Sequence, residues 1–341
     1  MRVAVYYRND DVRLEDRPKP VIRSGEIMLR VMACGICGSD VMEWYRIRKA
    51  PLVLGHEAVG EICEVGEDVE KYGIGDRVFV SHHVPCNVCR SCLRDEYTTC
   101  KTLHSTNIDP GGFSEYARVP NINVDRGIFP LPDDVTYDEG VFIEPLACVL
   151  RSQKKLPVRL GDTVLVLGSG VSGILHIQLA GLLGSSRVLA TDINWNRLKF
   201  AERFGADAVI NAKEDVPKIL REVNDGRLAD VVIVSTAAVS AIKQAFKCVE
   251  DAGKILFFAP TAPGMEIPMY LNEVWSRQLT LTTSYAAGPS DLAEALELIR
   301  SHRVKVKEMI THRLGLAETG IGFKLAAEAS EALKVVIEPQ R

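Results

Sequence analysis

Apolar positions follow two different rhythms along the 341 residues of the chain. Up to about residue 145 they come in short alternating runs, such as Glu26–Val31, Val59–Val65 and Arg77–Val80, broken by Gly-Glu and Gly-Asp turns. A period of two predicts half-buried antiparallel strands, so this stretch reads as an irregular β-domain. From about 146 continuous apolar runs take over: TVLVLG (163–168), RVLATD (187–192), AVIN (208–211), VVIVST (231–236), KILFFA (254–259) and LTLTTS (279–284). Amphipathic helical patterns lie between them, for example at 172–184 and 195–204. Strand and helix alternate as a doubly wound parallel sheet requires, which makes the chain an α/β protein with a β-rich partner domain. The tail, 290–341, holds an amphipathic helix (DLAEALELIRSH), a strand-like THRLGL, a second helix and a closing KVVIEP. It is too long for one more unit of the sheet and is expected to rejoin the first domain. The expected organisation is 1–145, then 146–288, then a returning segment 289–341.

Length and composition support that division and narrow the function. The chain is about twice a usual single-domain length. With 47% hydrophobic and 25% charged residues it is neither disordered nor fibrous. A net charge of −4 with no long basic block makes nucleic acid an unexpected partner. No run approaches the ~20 apolar residues of a membrane span, so no membrane partner is expected. The opening MRVAVYYRND reads as a strand entering a charged loop, not as a signal peptide, and cytoplasm is the expected location. In that compartment clustered cysteines bind metal more often than they pair, and four of the nine cysteines fall within residues 86–100.

Gly168, Gly170 and Gly173 form G-x-G-x-x-G between the apolar strand TVLVLG and a helix. There the glycines serve a tight turn, close approach to a pyrophosphate and close packing of helix on strand, with the helix N-terminus facing the phosphates. Asp192 ends the next strand, nineteen residues after Gly173. A carboxylate there accepts hydrogen bonds from ribose hydroxyls and repels a 2′-phosphate, so the expected cofactor is NAD and not NADP. Val171, at the helix start, and Arg197, just after Asp192, complete the expected cofactor-binding set.

Cys86, Cys89, Cys92 and Cys100 form C-x-x-C-x-x-C followed by seven residues and a fourth cysteine. Four thiolates at this spacing close a tetrahedral shell with no position for substrate, a structural zinc site. Cys37 in ACGICGSD and His56-Glu57 in LGHEAVG supply a thiolate, an imidazole and a carboxylate, the donor types of a catalytic zinc with an exchangeable position. Glu144, in FIEPLACVL, is a second carboxylate expected at the domain junction.

GICGSD, GHE, the four-cysteine lobe, GGFSEYARVP, EPLACVL, the glycine fingerprint with Asp192 and the closing KVVIEP together resemble the zinc-dependent medium-chain dehydrogenases. The similarity is greatest to their polyol (sorbitol-like) and threonine dehydrogenase branches, and it covers nearly the whole length. It implies a GroES-like catalytic domain wrapped around an inserted Rossmann domain, with the active site in the cleft between them. It implies Cys37 and His56 as ligands of the catalytic zinc, with Glu57, and Glu144 by exchange or through a water, completing the shell. Ser39 would bond the reacting hydroxyl and start proton relay, and Asp40 would orient His56. Many relatives carry a histidine five residues after the cysteine ligand; here that position is Met42, which cannot carry a proton. His82 and His83 are expected to be structural, with a lining role for the substrate site as the alternative.

The activity these features imply is NAD-dependent, zinc-dependent oxidation of a secondary alcohol to a ketone, with two zinc ions per chain. A polyol, cyclitol or sugar acid is the expected substrate class. L-threonine, whose carboxylate Arg46 or Arg48 could hold, and simple secondary alcohols are the alternatives. A nucleotide-binding protein without turnover would not need Cys37, His56, Glu57, Ser39 and Asp40 together, and a zinc-free quinone or enoyl reductase would lack both metal sites. A homodimer or homotetramer is expected, because LTLTTS is short, apolar and suited to a sheet edge that pairs across a two-fold axis.

Overall fold

A computed structural model describes residues 1–267 and 269–341. The chain divides into two units. One comprises Met1–Ala147, Ala287–His302 and Val306–Arg341; the other comprises Cys148–Ala286 and Arg303–Lys305. The short piece Arg303–Lys305 departs from the expected returning segment. Gln178 holds it to the second unit, donating from Nε2 to the Lys305 carbonyl (3.0 Å) and accepting the Lys305 N–H at Oε1 (2.8 Å).

The first unit is built on a seven-stranded sheet. Its order runs Ile310–Gly315, Lys334–Glu338, Ile27–Gly35, Glu57–Val65, Arg77–Ser81, Ile128–Pro130, with Tyr116–Val119 also pairing to Ile27–Gly35. All of these pairings are antiparallel except the first. A smaller sheet, Asp11–Asp16, Arg2–Arg8 and Leu52–Val53, shares its core. Tyr6, Phe113 and Phe323 meet there, with Phe323 5.6 Å from Tyr6 and 5.8 Å from Phe113 between ring centroids. These aromatic contacts dock the C-terminal helix Thr319–Glu328 against the start of the chain. The register of the large sheet also places chemistry at one end of it. Val336, Gly35, Glu57 and Ser81 form one row across four strands, and just beyond it lie Cys37, His56 and His82.

The second unit is a six-stranded parallel sheet ordered Ala208–Asn211, Arg187–Asp192, Thr163–Leu167, Ala229–Val234, Val249–Phe257, Thr280–Thr283. Every residue of Thr163–Leu167 is buried, as expected of a continuous apolar run covered on both faces. The strand expected at 231–236 ends at Val234, because Ser235 turns to meet Ser172 (Oγ to Oγ 2.8 Å) at the start of the next helix. The strand expected at 254–259 begins earlier, at Val249, directly from the helix Val239–Cys248. Thr280–Thr283, within the LTLTTS run, lies at the sheet edge. No described helix is long and apolar enough to cross a membrane.

Candidate active site

The donor groups of Cys37, His56 and Glu57 lie within 4.8 Å of one another at the end of the first unit's sheet. Gly35 pairs directly with Glu57 across the sheet, and a Cβ on Gly35 would sit 1.9 Å from the Glu57 Oε2. That close approach requires glycine. Asp40, fully buried, accepts the Cys37 N–H at Oδ2 (3.0 Å), and its Oδ1 lies 3.4 Å from His56 Nδ1. With Nδ1 turned to Asp40, Nε2 is the nitrogen left to a metal, the arrangement expected of a ligating histidine. Burial opposes the charge on Asp40, yet His56, Arg46 and the Cys37 N–H hold its carboxyl below the usual range. Burial also opposes the charge on His56, but Asp40 and Cys37 raise its imidazolium well above the ordinary histidine value.

Three further groups complete the surroundings. Lys334 is buried with its ammonium on Glu57 Oε2, and it also donates to the Ile36 carbonyl (3.3 Å). Its desolvation is more than offset by Glu57 and Cys37, which hold the lysine charged. Glu144 does not join the converging donors, although its charge bears on Glu57 and adds to the upward push of burial there. The His82 ring lies 4.9 Å from that of His56, tilted by 52°, and its buried Nδ1 finds no partner among the described residues. Burial first, then His83, His56 and Arg46, keep His82 neutral, and His83 is lowered to about 3 by burial and the neighbouring cations.

Cys86, Cys89, Cys92 and Cys100 also converge within 4.8 Å, and all are free thiols. Cys92 Sγ lies 3.5 Å from Cys89 Sγ and 3.9 Å from Cys86 Sγ. A tetrahedral shell with metal–sulfur bonds of ~2.3 Å separates its sulfurs by ~3.8 Å, so the spacing suits zinc. The lobe's own buried apolar cluster amounts to Cys92, Cys100 and Leu103. So small a core needs the metal for its stability.

In the second unit Gly168 has φ +98°, and a Cβ on Gly173 would lie 2.0 Å from the Gly168 carbonyl oxygen. Gly170, the N-cap of helix Val171–Leu182, is open, and a Cβ there would meet only Arg197 Nη1, at 3.7 Å. Two glycines thus shape the turn and the third leaves the helix N-terminus bare, a cradle that suits a pyrophosphate. Asp192 accepts the Ser169 and Asn194 N–H groups, each at 2.9 Å, and lies 3.9 Å from Arg197 Nη1. The Arg197 Nε is buried with no partner among the described residues.

Comparison with known proteins identifies the family. The alcohol dehydrogenase GroES-like domain family matches residues 23–133, and the zinc-binding dehydrogenase family matches residues 172–301. D-xylulose reductase A of Aspergillus oryzae is 30% identical, over 96% of this chain and 93% of its own. The chain belongs to the zinc-dependent medium-chain dehydrogenases. Sorbitol dehydrogenase of Bacillus subtilis is 28% identical over 100% of this chain and 98% of its own. The crystal structure of 2R,3R-butanediol dehydrogenase from Bacillus subtilis superposes with a TM-score of 0.86 at 26% identity, covering 99% of each chain. As a medium-chain dehydrogenase the chain combines a GroES-like unit with a Rossmann-type unit, uses zinc and a nicotinamide dinucleotide, and acts as an alcohol oxidoreductase.

Lys334 at the metal site has no counterpart among the residues picked out by motif, and Arg46 stood there only, with Arg48, as a cation for the carboxylate of threonine in the alternative reading. Lys334 opens KVVIEP, and the signal available was a lysine at an inward position of an otherwise apolar strand. The Arg46 guanidinium is instead spent on Ser39 and Asp40.

Zinc entering at His56 must displace the proton that Asp40 and Cys37 hold there. The apparent zinc dissociation constant should therefore rise as pH falls, because protonated His56 has to give up its proton for the metal to bind. Chelator competition with the four-cysteine site kept filled measures this, and Asp40→Asn should flatten the slope. A pH-independent constant in the wild type contradicts it.

Proposed function

We propose that the chain oxidises a secondary alcohol flanked by further hydroxyls, a polyol, cyclitol or sugar acid, to the ketone with NAD. The observation that carries this reading is the convergence of Cys37, His56 and Glu57 beside a buried Asp40 that orients His56. In this reading Cys37, His56 and a carboxylate, Glu57 or Glu144, hold zinc. When bound, zinc supplies the Lewis acidity that makes a neighbouring hydroxyl lose its proton near neutral pH, and NAD accepts the hydride. Ser39 bonds the reacting hydroxyl and takes its proton, and Asp40 fixes the His56 tautomer. Lys334 pairs with Glu57, holds it in place and opposes the upward push of burial on its carboxyl. Gly168, Gly170, Val171, Gly173, Asp192 and Arg197 hold the dinucleotide.

The polar character of the site supports a polyhydroxylated substrate. Asp40, Glu57, His56, His82 and His83 gather at this end of the sheet, and a polar site of this kind favours a substrate that carries further hydroxyls over a simple alcohol. Arg46 is not free to hold the carboxylate of threonine, because Ser39 and Asp40 occupy it. A panel of polyols, cyclitols, sugar acids, threonine and 2-butanol, assayed for NADH formation, tests the class. The best polyhydroxylated substrate should exceed 2-butanol in kcat/KM by about a hundredfold, and Cys37→Ala should abolish turnover and remove about one zinc. Faster oxidation of 2-butanol than of every polyhydroxylated compound would overturn the substrate class; full activity in Cys37→Ala would overturn the metal assignment.

The NAD preference follows from Asp192, whose carboxylate would repel a 2′-phosphate. NAD should be favoured over NADP in kcat/KM by a large factor that Asp192→Ala reduces. Equal use of both by the wild type is the contrary result.

Self-association, as a dimer or as a tetramer built from dimers, is the reading supported by the edge strand Thr280–Thr283 and its neighbours. Tyr270, Leu271 and Trp275 are 75%, 67% and 76% exposed just before it, an apolar surface that pairing with a second copy would cover. Light scattering at micromolar concentration should give a multiple of the 37.6 kDa chain. A monomer mass refutes it.

A further inference from the structure

Arg46 is the residue of the site whose geometry the reaction scheme leaves unexplained. The turn Cys37–Asp40, closed by the Asp40 N–H to the Cys37 carbonyl (3.0 Å), leads into the one-turn helix Glu43–Arg46. Backbone N–H groups of Tyr45 and Arg46 bond the Met42 carbonyl there (2.9 and 3.1 Å), which folds Arg46 back over the turn. The side chain is 13% exposed, low for an arginine with no carboxylate to itself. Nε donates to the Ser39 carbonyl (3.0 Å), while Nη2 donates to Ser39 Oγ (3.0 Å) and to Asp40 Oδ1 (3.3 Å). The same Asp40 oxygen lies 3.4 Å from His56 Nδ1.

The consequence lies in the hydroxyl of Ser39. A serine oxygen has two lone pairs and one proton. Arg46 is a donor that can never accept, so it occupies one lone pair permanently and leaves one lone pair and one proton. Those two are what a relay needs: the lone pair accepts the proton of the substrate hydroxyl while the Ser39 proton leaves to a water, and Ser39 ends the step neutral. A guanidinium 3.0 Å away also stabilises the oxygen while its proton is departing.

Resting on the dehydrogenase reading above, we propose that Arg46 is a positioning residue that fixes the Ser39 hydroxyl in its proton-transferring orientation. It is a fixed cation on the relay rather than a member of it, and no proton passes through it. The requirement is for a planar donor with two arms, which lysine meets only in part.

The test compares Arg46→Ala, Arg46→Lys, Ser39→Ala and the double variant Ser39→Ala/Arg46→Ala, using the best alcohol from the panel. Zinc per chain and thermal unfolding are read alongside kinetics. Arg46→Ala should lose about 10- to 100-fold in kcat, the scale of a misplaced or unsupported reacting group, with KM for NAD unchanged and two zinc retained. Its solvent deuterium isotope effect on kcat should rise, Arg46→Lys should recover part of the loss, and millimolar guanidinium should partly restore Arg46→Ala. Removing Arg46 from Ser39→Ala should cost less than threefold, since the group it positions is gone. Unchanged kcat in Arg46→Ala would overturn the proposal. So would an equal further loss in the Ser39→Ala background, or zinc loss in proportion to activity, which would assign Arg46 to the Asp40–His56 contact alone. Failure of the dehydrogenase reading itself is distinct, since it would appear as Ser39→Ala and Cys37→Ala retaining full activity.

Discussion

The metal-site end of the first unit depends on the ion pair between Lys334 and Glu57. Both side chains are 1% exposed, so neither charge has water to fall back on. Removing one partner of such a pair costs ~3–5 kcal/mol because the other is left charged and buried, although an apolar replacement of both is often neutral. The pair is therefore better understood as a device for placement than as a source of stability. It requires glycine at position 35, draws the strand Lys334–Glu338 against the strand Ile27–Gly35, and through the Ile36 carbonyl fixes the backbone next to Cys37. At the carboxylate beside the metal donors the lysine thus opposes the upward push that burial puts on its pKa.

The two sites were legible in the sequence to different degrees because they are built over different distances along the chain. The dinucleotide loop is local. Gly168 and Gly173 answer to a turn and to one backbone contact within six residues, so spacing alone conveys the geometry. The four-cysteine lobe is local in the same sense, and its sulfurs lie where the spacing placed them. The site around His56 is not local. Cys37, His56 and Glu57 could be found by their ligand types, but Lys334 reaches Glu57 from 277 residues away through a strand register that no spacing rule reveals. Arg46 sits within an ordinary-looking polar run, and only the one-turn helix shows that it faces inward onto Ser39. Glu144 illustrates the converse: its motif marks it for the site, while its carboxylate stands apart from the three converging donors.

The same contrast explains how charge is handled. At the nucleotide loop Asp192 is held by two backbone N–H groups, that of Ser169 from the glycine loop and that of Asn194 from its own turn, with Arg197 at the looser distance of 3.9 Å. Around His56 the polar groups satisfy one another: Asp40 is shared by Arg46, His56 and the Cys37 N–H, and Glu57 by Lys334. A network with all members present is rigid, and one with a member removed leaves a buried charge. Substitutions at the first site should act on a ligand, whereas those at the second also act on their neighbours.

The lysine that neutralises Glu57 also sets an order of events during synthesis. Cys37, His56 and Glu57 leave the ribosome early, and the entire parallel-sheet unit follows them before residue 334 is made. Domains fold as units while the chain emerges, so the second unit can close while the first still lacks the strand Lys334–Glu338. Until then Glu57 has no cation to accompany it into the interior, and its burial is postponed. The metal centre is therefore among the last parts of the protein to reach its final form, and a nascent or truncated chain ending before residue 334 would carry the zinc donors without the charge that lets them be buried together.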